Sequence, residues 1–194
     1  MNNGDVNQGR RRFLIGATSV VGGIGMVGVA VPFVASWQPS AKAEAAGAPV
    51  RVDVSKLEVG QQITVSWRGM PVWIVRRGEE MNNSIPKLSD TVHDFAENAP
   101  EYIEDEYRSL RREIGVYVGI CTHLGCVPSY RPEVAPADLG DEWLGGFFCP
   151  CHGTKYDLAG RVYNNQPAPM NLEVPPNRYE GETTLVVGED PEEA

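Results

Sequence analysis

Cys121-Thr122-His123-Leu124-Gly125-Cys126 and Cys149-Pro150-Cys151-His152-Gly153 decide how this chain is read. The two boxes hold all four cysteines of the chain and two of its three histidines. The first offers the pair Cys121-x-His123, the second Cys149-x-x-His152, and each carries one further cysteine. A structural zinc site takes two thiolates and two imidazoles tetrahedrally, but it leaves the second cysteine pair unexplained. Two plain disulfides leave both histidines idle. An all-cysteine cluster strands His123 and His152 and crowds Cys149-x-Cys151. A mixed-ligand 2Fe–2S centre, in which histidines replace two cysteines on one iron, uses two thiolates and both imidazoles and leaves Cys126 and Cys151 free to pair.

The wording C-T-H-L-G-C followed by C-P-C-H-G resembles the Rieske iron–sulfur protein of cytochrome bc-type quinol oxidases. The likeness extends to the N-terminal anchor and to the segment between Gly160 and Pro169. It implies an all-β fold: an antiparallel β-sandwich head with a small cluster-binding subdomain at about 117–170, plus one N-terminal transmembrane helix. It implies one Rieske-type 2Fe–2S cluster, with Cys121 and Cys149 on the inner iron and His123 and His152 on the outer one. By the same resemblance Cys126 and Cys151 form a disulfide bracing the two ligand loops. Thr154 and Tyr156 match hydroxyls that bond cluster or cysteine sulfur, Leu124 shields the cluster, and Gly125, Gly153 and Pro167 complete its surroundings.

The implied activity is that of the electron-transfer subunit of ubiquinol–cytochrome c reductase. It takes an electron from ubiquinol, with His152 accepting the quinol hydroxyl's hydrogen bond and His123 also exposed, and passes it to cytochrome c1. Cytochrome b, cytochrome c1 and membrane lipid are the implied partners, in a complex that is itself a dimer. The alternative is the Rieske small subunit of a periplasmic molybdenum oxidase, a docked electron relay without a swinging hinge. Two departures stand out: Thr154 replaces the usual Ser, and the family's Gly-Pro-Ala-Pro loop reads Gln166-Pro167-Ala168-Pro169.

Elsewhere the sequence bounds the possibilities. Its 194 residues suffice for one domain plus an anchor. The net charge is −9, and the residues after Ala43 carry 13 basic and 25 acidic groups, a net −12. Nucleic-acid binding wants a basic face, so that function is set aside. No C-x-x-C-H motif is present, so haem would belong to other subunits. A cysteine pair left over from ligation suits an oxidising compartment.

Arg10-Arg11-Arg12-Phe13-Leu14 reads as a twin-arginine signal, which exports proteins folded around a cofactor. Residues 1–12 form the expected cytoplasmic N-terminus. The 25 residues Phe13–Trp37 carry no formal charge and as a helix reach about 37 Å, beyond the roughly 30 Å hydrocarbon core. Arginines before the span put the N-terminus in the cytoplasm and the head in the periplasm of a bacterial inner membrane. Ala41-Lys42-Ala43 resembles a cleavage site, but the apolar run exceeds a usual signal core, so an uncleaved anchor is expected. Residues 38–49 are read as a flexible hinge and 50–194 as the head.

In the head, Gln61–Ser66 and Pro71–Arg77 flank Trp67-Arg68-Gly69-Met70 and predict a hairpin. Further strands are expected at Val50–Val54, Gly115–Ile120, Gly146–Cys149, Lys155–Asp157, Leu172–Val174 and Thr183–Val187. Residues 79–113 read as an acidic insertion with a helical stretch within Ala96–Arg112, and its His93 as a solvated surface group. The 22 residues Val127–Phe148 read as a long excursion, either padding that lets the two boxes meet or a contact for a partner, and Glu189–Glu193 as an acidic tail.

Overall fold

The computed structural model describes residues 7–191. The first six residues of the expected cytoplasmic stretch, and the acidic tail from Glu192 onward, lie outside the described residues. The chain divides into two units, one ending at Ala45 and one beginning at Ala46.

Helix α1 runs Gln8–Ala35, and the Asn7 side chain accepts the Arg10 N–H at its start. At 28 residues it is about 42 Å long, and it is the one described helix long and apolar enough to cross a membrane. Glycines tolerated here would weaken a water-exposed helix, but in hydrocarbon a backbone has only itself to bond. The helix stops two residues before the expected Trp37, where Ser36 closes it through Pro32 O. Residues 38–49, read as a flexible hinge, contain a short helix α2, Ala41–Gly47. Ser40 Oγ accepts the Ala43 N–H, and a run of alanines, the best helix former, does the rest.

The head is built from three antiparallel three-stranded sheets. Strands β2 (Gln62–Trp67), β3 (Met70–Arg76) and β4 (Ile114–Val118) form the middle one. The β2–β3 turn is a tight hairpin in which Arg68 and Gly69 both have positive φ, 52° and 75°. Strands β1 (Val50–Asp53), β9 (Thr184–Val187) and β8 (Asn177–Glu180) form a second sheet, in the order β1-β9-β8. Strands β5 (Ser129–Arg131), β6 (Gly146–Phe148) and β7 (Lys155–Asp157) form the third, wholly within 117–170.

Strands β3 and β4 are buried on both faces, which explains why Val72-Trp73-Ile74-Val75 is apolar without alternation. Val72 and Ile74 pack with Trp67, Val116, Leu185 and Val187 against the β1-β9-β8 sheet. Trp73 and Val75 face the other way and join Tyr117, Phe147, Tyr156, Cys121 and Cys149. The site therefore stands on a packed aromatic floor, with Trp73 and Phe147 stacked at 5.0 Å. Gly146 is required where β6 meets β7, since a Cβ there would lie 2.0 Å from Tyr156 O.

Three expectations need correction. Residues 96–112 form turns rather than a helix, because Asn98 and Arg108 adopt positive φ and Arg108 turns inward. The helical turns of this segment come earlier, as α3 (Glu79–Ser84) and a 3-10 turn at Pro86–Leu88. Leu172–Val174 is no strand: Leu172 N bonds Gly160, Glu173 O accepts Val118 N, and Val174 N bonds Asn98, so no ladder forms. The supposed padding of 127–148 contains β5 and the buried Trp143, pinned by Arg131 bonding both Glu133 and Asp138.

Candidate metal centre

Two loops of the same construction meet at one end of the head. In the first, Cys121 N–H donates to Cys126 O at 2.7 Å and Gly125 N–H to Cys121 O at 3.0 Å. In the second, Cys149 N–H donates to Thr154 O at 2.8 Å and Gly153 N–H to Cys149 O at 2.9 Å. Gly125 and Gly153 each have φ of 80°, a left-handed conformation that strains residues with a Cβ. The second loop is the β6–β7 connection, with Cys149 just after β6 and Thr154 just before β7.

The structure joins Cys126 to Cys151, so these two sulfurs tie loop to loop. Cys149 Sγ lies within 4.8 Å of both, yet only Cys121 and Cys149 remain free thiols. Both are buried, and burial followed by the neighbouring Cys121 pushes the Cys149 thiol up. A buried thiolate pair therefore needs a cation to hold it. The His123 and His152 rings stand edge to face, centroids 4.7 Å apart. His152 is exposed and His123 half-buried.

The donor set fits an iron–sulfur cluster by what it leaves over. His123 Nδ1 and Thr154 Oγ1 are buried with no hydrogen-bond partner in the polypeptide. Buried polar atoms are rarely left so, and these two sit in the loops that carry the two free thiols. Tyr156 Oη lies 3.3 Å from Cys121 Sγ. Burial first, then that sulfur, pushes the Tyr156 hydroxyl well above the usual phenol range.

Thr122 is a residue that sequence reasoning passed over. Its hydroxyl donates to Met170 O at 2.6 Å, and its N–H donates to Tyr156 Oη at 3.2 Å. With its single proton spent on Met170, the Thr122 hydroxyl can only accept from Tyr156. The tyrosine proton thus has two acceptors, Thr122 Oγ1 and Cys121 Sγ, and a thiolate is the stronger. A hydroxyl between Cys121 and His123 was the available signal. Gln166, where the family has Gly, accepts the Lys155 N–H at 3.2 Å and holds the proline loop to β7. In that loop Pro167 is exposed and Ala168 buried, while Leu124 at the tip is 71% exposed. His93 takes no part: it bonds Glu97 at 2.9 Å and is half-buried rather than free in solvent.

Fold and tip together define an iron–sulfur protein of the Rieske class, and residues 49–176 match the family described as "Rieske [2Fe-2S] domain". Residues 1–40 match "Ubiquitinol-cytochrome C reductase Fe-S subunit TAT signal". The "Ubiquinol-cytochrome c reductase iron-sulfur subunit" of Allochromatium vinosum is 53% identical over 189 residues, 95% of this chain and 91% of that one. Its counterpart in Rhodobacter capsulatus is 41% identical over 204 residues, covering 97% and 100%. A chain of a solved "Hyperthermophilic respiratory Complex III" is 29% identical with a TM-score of 0.48, over 89% of this chain and 98% of its own. The chain belongs to the family of ubiquinol–cytochrome c reductase iron-sulfur subunits.

Proposed function

We propose that this chain is the electron-transfer subunit of a ubiquinol–cytochrome c reductase, with Cys121, Cys149, His123 and His152 as ligands of its cluster. The observation that carries the ligand assignment is the pair of buried free thiols beside a buried, partnerless His123 Nδ1. When bound, a 2Fe–2S group of this ligand type supplies a one-electron acceptor of raised potential.

The residues do the rest. With Nδ1 turned inward, His123 keeps Nε2 as its outer nitrogen, and the exposed His152 offers its own outer nitrogen to solvent or substrate. A neutral imidazole there accepts the hydrogen bond of a quinol hydroxyl and then its proton. Leu124 keeps water from the tip and gives it an apolar contact. Thr154 and Tyr156 donate to sulfur and stabilise the added negative charge.

Helix α1 anchors the head in a bacterial inner membrane, with Arg10, Arg11 and Arg12 on the cytoplasmic side and the head in the periplasm. Residues 38–49 act as the hinge that lets the head travel between partners, α2 included. Those partners are cytochrome b, with which the quinol pocket is shared, and cytochrome c1, within a dimeric complex embedded in lipid. The names and near-complete coverage of the relatives support this reading over a molybdenum-oxidase relay. Purification of the full chain from membranes tests it. Co-purification with b- and c-type haems and quinol-dependent cytochrome c reduction are expected; a haem-free complex with molybdenum would overturn it.

A further inference from the structure

Behind β7 the head buries more positive than negative charge. Arg77, Arg108 and Arg161 are each at most 2% exposed, and the fully buried carboxylate among the described residues is Asp157. Arg161 Nε bonds Asp157 Oδ2 at 2.7 Å. Arg77 donates to Tyr117 Oη at 3.1 Å and to Ser109 Oγ at 2.6 Å. Arg108 spends its fork on backbone carbonyls, among them Ala159 O at 3.1 Å and Leu172 O at 2.9 Å. All four groups act electrostatically on the Tyr117 hydroxyl. Burial pulls Arg108 down to about 10, which still leaves it a cation at neutral pH.

This charge lies close to the ligand loops. Asp157 follows Tyr156, whose hydroxyl touches Cys121 Sγ. Tyr117 packs edge-on against Phe147, which pairs with Tyr156 across the β6–β7 ladder. Carbonyl dipoles satisfy the guanidiniums locally, but dipole fields fade faster with distance than that of a net charge. In a poorly screened interior the surplus is therefore felt across the rings of Tyr117, Phe147 and Tyr156.

We infer that Arg77, Arg108 and Arg161, which outnumber the buried Asp157 and the half-buried Glu97 beside Arg108, form a buried positive cluster that raises the reduction potential of the centre. They are positioning residues of an electrostatic kind: none touches a ligand, and each favours the state carrying one more electron. This rests on the cluster assignment proposed above.

The test is a redox titration of membranes containing the full chain in its complex, followed by low-temperature electron paramagnetic resonance. Arg77→Gln lowers the potential, and so does Ser109→Asp, which sets a carboxylate against the Arg77 fork without deleting a guanidinium. Asp157→Asn, nearly isosteric, raises it. Arg77→Lys and Tyr117→Phe leave it unchanged, since both keep the charge. Shifts of one common sign, or none, would show a purely structural role and overturn the inference. If Arg77→Gln fails to accumulate, Ser109→Asp and Asp157→Asn still give the opposed signs that decide it. An unmodified protein without any cluster signal would sink the ligand assignment itself, and this inference with it.

Discussion

At the scale of single residues, Tyr156 shows how one hydroxyl serves chemistry and folding together. Its ring is fully buried in the floor of the site, and its oxygen lies 3.3 Å from Cys121 Sγ. Tyr156→Phe keeps the ring and removes one bond to sulfur, worth about 1 kcal/mol. The expected result is a potential lowered by tens of millivolts with the spectrum kept, read by redox titration; an unchanged potential would place the tyrosine proton on Thr122 instead. The ligand candidates and Tyr156 were legible in the sequence because cysteine, histidine and a nearby hydroxyl carry chemistry by type. Thr122 was not. Its place between Cys121 and His123 marks a hydroxyl near the site, but the Met170 carbonyl that fixes its proton lies 48 residues away.

Among the elements, the two ligand loops are held by unlike devices: a backbone turn within each, and one covalent bond between them. The Cys126–Cys151 bridge spans a separation of 25 residues, and closing a loop of that size restricts the unfolded chain by about 3.5 kcal/mol. Cys126→Ser with Cys151→Ser should therefore lower the urea midpoint of the head and release iron at lower denaturant concentration. Equal midpoints for the two proteins would show that backbone turns alone fix the loops. Strands β2, β3, β4 and β9 were readable from β-branched and aromatic runs with turn residues at their ends. Strand β5, Ser-Tyr-Arg, and strand β8, Asn-Arg-Tyr-Glu, carry no such signature and exist because β6 and β9 offer them edges. The helix expected near Tyr102 and Tyr107 fails for a tertiary reason. Arg108 has to turn inward to satisfy carbonyls of three separate segments, which a regular helix does not allow.

On the scale of the whole molecule, tyrosines set the alkaline limit. Burial pushes Tyr130 and Tyr179 up to about 12, and raises Tyr102, Tyr117, Tyr156 and Tyr163 as well. A phenol whose folded pKa exceeds its unfolded value adds stability that is whole below about pH 10 and lost as pH climbs through the folded value. Arg108 works the other way, since its folded pKa of about 10 lies below the unfolded one, but it is one group against six. The urea midpoint should stay level to about pH 10 and fall steeply towards pH 12, with phenolate absorbance rising together with unfolding. Phenolate appearing in full near pH 10 before any unfolding would contradict the burial described here. The division into an apolar N-terminal helix and an antiparallel β head was legible from composition alone, because a 25-residue uncharged run has few other uses. The buried arginine cluster was not, since arginine in sequence reads as surface.

Two imidazole nitrogens bonded to iron are what the quinol-oxidation reading needs from this head. Pulsed electron paramagnetic resonance on the reduced full-length protein, grown with nitrogen-15 histidine, detects them directly. Two strongly coupled nitrogen-15 nuclei that drop out together with cluster loss in His123→Ala and His152→Ala are the expected result. A 2Fe–2S signal without strongly coupled histidine nitrogen would contradict it.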